Sequence, residues 1–110
     1  MELMISISGK QESERLVSII QLGLVSALEE IISIEEAEGY LFNPYTVEKL
    51  EMYGFSEDVI EIIREGCELE DIKSLVPEKL SENISMLKTK ILNNLSSIQN
   101  PVLPREKIIK

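Results

Sequence analysis

Ser56-Glu57-Asp58-Val59-Ile60-Glu61-Ile62-Ile63-Arg64-Glu65-Gly66 (SEDVIEIIREG) is the stretch on which the fold turns. Ser56 is a favoured helix N-cap, Val59, Ile60, Ile62 and Ile63 form one apolar face, and Gly66 stands where helices commonly stop. The run predicts a short helix whose apolar face needs other elements to cover it.

Working outward toward the C-terminus, ELEDIKSLV gives one or two turns before Pro77. From about Pro77 to Ile98, Leu80, Ile84, Leu87, Ile91, Leu95 and Ile98 recur at spacings of three and four, which predicts a long helix. Asn100-Pro101 ends it. VLPREKIIK then forms a basic, partly apolar tail within 101–110.

Toward the N-terminus, Tyr45 to Tyr53 reads as a helix with Pro44 near its start and Gly54 closing it. Ser33-Ile34-Glu35-Glu36 fits a capping box and opens a short helix to about Leu41. A longer helix is expected from about Glu12 to Ile32, its wide apolar face built from Leu16, Val17, Ile19, Ile20, Leu24, Leu28 and Ile31. Gly23 and Ala27 lie four apart on one side of it. They fit tight internal packing, or a seam with a second copy. ELMISIS alternates apolar and polar residues and predicts a β-strand at residues 2–8.

The expectation is a mainly α single domain over 1–110, with its core in about 2–100: a compact bundle of two long and three or four short helices plus a short N-terminal β-strand. The alternative is an α+β arrangement in which that strand and the C-terminal tail form a two-stranded sheet.

Composition narrows the function. At 110 residues the chain can bury one core without staples. One cysteine cannot form an internal disulfide. MELMISIS lacks the basic start of a signal peptide. The longest apolar stretch, Leu16–Leu28, is shorter than the roughly 20 residues a membrane span needs. A cytoplasmic protein without membrane association is expected.

The net charge of −9 argues against nucleic-acid binding, whose affinity rests on basic residues. The charge is also uneven. Residues 29–71 hold fourteen acids against Lys49 and Arg64, whereas residues 72–110 are net basic. All five aromatics, Tyr40, Phe42, Tyr45, Tyr53 and Phe55, fall in the acidic segment.

Histidine is absent, which removes the commonest general base near neutrality and every nucleophile arrangement that depends on it. The five glycines are scattered, so no phosphate-binding loop is available. No catalytic residue, cofactor or metal site is expected. A carboxylate-based enzyme or metal binder is the remote alternative.

The densest cluster of polar groups is Arg64–Asp71, REGCELED. It lacks the residue order of a calcium loop. Its carboxylates disfavour a Cys67 thiolate. Its acids suit the first turn of the following helix, where the dipole favours negative charge. They also suit a docking face, and the two roles are compatible.

LFNPYTVEKLEMYG followed by GCELEDIKSLVP resembles the central block of a small, functionally uncharacterised bacterial family, over roughly residues 12–98. The resemblance implies a bacterial origin and assigns no activity.

These features favour a small acidic interaction protein that binds or neutralises a basic protein partner, by analogy with immunity proteins. The candidate contacts are Glu35, Glu36, Glu38, Tyr40, Tyr45, Tyr53, Glu65, Glu68, Glu70 and Asp71. The competing expectation is a structural homodimer using the strand at residues 2–8, the Gly23/Ala27 face, or the basic tail against another subunit's acidic segment.

Overall fold

Side-chain capping starts two of the short helices. The structure is a computed structural model, and it describes residues 3–5 and 7–98. The described chain forms α1 (Lys10–Ala27), α2 (Ile34–Tyr40), α3 (Pro44–Met52), α4 (Glu57–Cys67), α5 (Leu69–Leu75), a 3₁₀ turn (Pro77–Lys79) and α6 (Leu80–Ser97). The Ser33 hydroxyl accepts the Glu36 N–H at 3.0 Å and starts α2. The Asn43 side-chain Oδ1 accepts the Thr46 N–H at 3.0 Å, with Pro44 supplying the first turn of α3. Gly54 then reverses the chain at φ +74°, a conformation that L side chains seldom adopt.

The centre of the molecule is α4. Val59, Ile60, Ile62 and Ile63 are all buried, between α1, α3, α5 and α6. Burying side chains of this size contributes about 1.5–3 kcal/mol each relative to exposure. Leu87 and Ile91 of α6, Val25 and Leu28 from the α1 end, and Ile34, Ala37, Phe42, Leu50 and Leu69 complete the same cluster.

The two long helices, each 18 residues, pack side by side and antiparallel. Arg15, near the start of α1, donates to the carbonyls of Leu95 and Ile98 at 3.3 and 3.2 Å. Its charge thereby meets the electronegative end of α6. At the other end, Val25 and Leu28 share a groove with Leu80 and Ile84. Gln21 is fully buried and donates to the Val59 carbonyl at 3.0 Å, which fixes α1 against α4.

The mainly helical expectation holds, with two long and four short helices among the described residues. No N-terminal strand is seen among the described residues, which leave out residues 2 and 6 of the predicted segment. Leu3, Met4 and Ile5 are exposed, and of the three only Ile5 takes part in a bridge, a single residue that makes no strand. The tail that could have paired with it lies outside the described residues, as does the basic tail's own role.

Helix α1 also ends earlier than its periodicity predicts. Glu29 takes a left-handed φ of 67°, and the chain turns through Leu28–Ile32 instead of continuing. Its buried face differs too. Ser18, Gln21 and Val25 point inward, while Ile19 and Ile20 are 49% and 36% exposed and Ile31 is 82% exposed. Nor does Gly23 serve internal packing, since a Cβ there would meet nothing within 4 Å.

Gly66 is likewise not a helix terminator. It sits inside α4 and is buried, and a Cβ there would overlap the Phe42 ring. Its role is to let the α2–α3 corner seat an aromatic ring on the α4 backbone.

Candidate acidic face

Sequence alone distributes fourteen acids over one segment, and the fold divides them. On the α3–α4 side, Arg64 is ion-paired with Glu51 at 3.0 Å, with Glu61 at 3.5 Å, and with Glu57. The hydrogen bond to Glu57 is the leading cause of the rise in the Arg64 pKa above its ordinary value. Lys73 meets Glu29 at 3.3 Å, and Lys90 meets Glu65. Glu65 thus faces α6 and leaves the candidate set. One of its carboxylate oxygens is buried without a hydrogen-bond partner.

The contact of α2 with α5 gathers a different group. Glu35 and Glu38 lie on one flank of α2, and Glu70 and Asp71 lie in the first turn of α5. None of the four is ion-paired with a described residue, and neither is Glu36 or Glu68.

Their proximity is visible in Glu38, whose carboxyl is raised above the ordinary value. Burial is the leading cause, followed by a hydrogen bond with Glu70 and repulsion from Glu70, Glu35 and Asp71. One Glu38 oxygen is buried with no partner. Cys67 adjoins the same group. Burial, then Glu38 and Glu68, push its thiol upward, away from the thiolate.

The other sequence-predicted contacts disperse. At about 100° per helical residue, Glu36 and Tyr40 fall on the flank of α2 opposite Glu35 and Glu38. The three tyrosines are 67–68% exposed. Tyr45 lies at the start of α3 with the Lys49 ammonium 5.4 Å from its ring centre. Tyr53 borders a shallow depression with Ile5, Ile7, Lys10 and Phe55, at the N-terminal end of the chain. Phe42 is buried and Phe55 half-buried.

REGCELED is therefore not one site. Its Arg64 and Glu65 serve α3, α4 and α6, while Glu70 and Asp71 decorate the start of α5 and meet α2. Arg64 as a hub for three carboxylates, and Lys90 as the partner of Glu65, were absent from the sequence reading. The i,i+3 spacing of Glu61 and Arg64 was the available signal for the first.

Among the described residues, no group of three His, Cys, Asp or Glu side chains is arranged to hold a metal ion. No helix among them is long and apolar enough to cross a membrane.

Comparison with known proteins gives one match. The family described as "Protein of unknown function (DUF3969)" matches residues 8–110, in agreement with the resemblance to an uncharacterised family. No curated protein and no solved structure matches.

Proposed function

The chain belongs to the DUF3969 family, whose description assigns no activity, and from that premise we propose that it is a small acidic interaction protein whose α2–α5 face binds a basic patch on a protein partner. The observation that carries this reading is the convergence of Glu35, Glu38, Glu70 and Asp71, from two helices, with no cation among the described residues to balance them. Like charges held together destabilise the fold and attract ligands of opposite sign. A Lys or Arg entering the face relieves the repulsion, so binding and relief are one event. Neutralisation of a basic partner, as immunity proteins perform, is the activity such a face suits.

The test is affinity capture at low and high salt with three baits. One is the native chain. A second carries Glu35→Gln, Glu38→Gln, Glu70→Gln and Asp71→Asn. The third carries Glu51→Gln, Glu57→Gln and Glu61→Gln around Arg64, a comparable loss of charge elsewhere. A basic protein held by the native and third baits, and released by salt and by the second, is the expected result. Equal retention by the second and third baits would exclude the α2–α5 face.

A further inference from the structure

We propose that the contact of α1 with α4 holds an internal water molecule, bridging the Ser18 hydroxyl and the side-chain carbonyl of Gln21. Both side chains are fully buried, and neither Ser18 Oγ nor Gln21 Oε1 has a hydrogen-bond partner in the protein. Buried polar atoms are nearly always paired, with protein or with ordered water. Two unpaired oxygens three residues apart on one helix lie on the same face, within reach of a shared partner. Glu38 and Glu65 also carry a buried, unpartnered oxygen, but their side chains are only half-buried and reach solvent. Ser18 and Gln21 do not.

The orientation of the Gln21 amide is fixed by its nitrogen, which donates to the Val59 carbonyl at 3.0 Å. Turning the amide over would set two carbonyl oxygens against each other, so Oε1 stays the unpaired atom. Ser18, for its part, departs from the habit of this chain. Ser13, Thr89, Ser96 and Ser97 each donate from a helix to a carbonyl three or four residues earlier, at 2.7–3.1 Å. The fully buried hydroxyl of Ser18 makes no such bond.

The spacing suits one water. Side chains three apart on a helix have Cβ atoms about 5–6 Å apart. Two O–H···O bonds in series, each about 2.7–2.8 Å, span a similar distance. The water donates one hydrogen to Gln21 Oε1, and at Ser18 it either accepts the hydroxyl proton or donates its second hydrogen. Proteins hold roughly one buried water per 27 residues, so a chain of 110 has room for such a site without being unusual.

The site also accounts for the setting of α1. Ser18 and Gln21 are buried while their neighbours Ile19 and Ile20 are exposed, the reverse of the order that hydrophobicity favours. A polar face is buried without penalty only where its groups are hydrogen-bonded. With a water on both oxygens, that face of α1 rests against α4 fully paired, and the Gln21 bond to Val59 holds its register. The water is thus a structural ligand of the core. It is independent of the acidic face, which lies on α2 and α5.

A crystal structure of the full chain, at a resolution that shows ordered water, tests it. Density within hydrogen-bonding distance of both Ser18 Oγ and Gln21 Oε1 is expected. In solution, oxygen-17 relaxation dispersion should count one long-lived water fewer in the Ser18→Ala, Gln21→Met double variant. By urea unfolding, each single variant leaves one oxygen or the water short of a partner and should lower the midpoint. The double variant should lose less than the sum of the two. Ser18 donating directly to Gln21 or to the Glu14 carbonyl, with no density between, overturns the proposal. So does an unchanged count of long-lived waters, or a double variant whose loss equals the sum. Should a variant fail to fold, the native crystal still decides.

Discussion

Around Arg64, three carboxylates from α3 and α4 converge on one guanidinium; between α2 and α5, four converge on one another. In sequence the two regions are equally acidic. In the fold, one is a closed ionic cluster and the other an open negative field. Charge density along a chain therefore says little about charge available at a surface. What decides availability is whether packing brings a cation within reach.

The strongest way to break this contrast is to disturb the packing that creates it. Gly66→Ala forces the Phe42 ring off α4, and with it the corner that joins α2 to α3. Overpacking of this kind costs about 1–3 kcal/mol, measurable by urea unfolding, and both acidic regions should lose their geometry together. An unchanged midpoint would mean that Phe42 has room to move aside.

A smaller effect is expected from making the closed cluster resemble the open one. Arg64→Met leaves Glu51, Glu57 and Glu61 without a cation. The melting temperature should fall at low salt and recover partly when salt is added, as screening replaces the lost partner. Neutralising Glu35, Glu38, Glu70 and Asp71 should have the opposite sign and raise the melting temperature at low salt. If the two changes move it in the same direction, the contrast between the regions fails.

The smallest effect is a titration. The raised Glu38 carboxyl should give an NMR midpoint above 4.5, and Glu70→Gln should lower it by removing both the shared hydrogen bond and a repulsive charge. Because the folded state holds this proton more tightly than the unfolded state, its contribution to stability is full below pH 4.5. It is lost as pH rises through the folded value. Glu38→Gln should abolish that loss. A native midpoint at or below 4.5 would separate Glu38 from the other carboxylates.

How much of this was legible depended on whether the signal was local. Ser33, Asn43-Pro44 and Gly54 act on backbone groups within four residues, so the helices they bound were readable from the sequence. Gly66 was not, because a glycine needed for left-handed backbone and one needed for an aromatic neighbour look alike in a sequence. Only the position of Phe42, twenty-four residues earlier, separates them.

The end of α1 was hidden because Leu28 and Ile31 continue a helical period that Glu29 breaks by its backbone angle. The strand pattern at 2–8 was real as a pattern, but alternation cannot supply a partner. For the site, a concentration of acids was legible, whereas its division was not. Glu51 and Arg64 are thirteen residues apart, Glu65 and Lys90 twenty-five, and no period links such pairs.

The bond from Arg15 to the Ile98 carbonyl spans 83 positions and ties the first long helix to the end of the last. On the ribosome, α2 to α5 emerge with most of their mutual contacts already available, while α1, made before them, has no long neighbour to lie against. Its groove-lining Val25 and Leu28 stay uncovered on the α6 side until residues 80–97 have left the exit tunnel. The native domain is thus closed by α6, so the emergence of residues 80–97, more than the order of the earlier helices, sets when this core can finish folding.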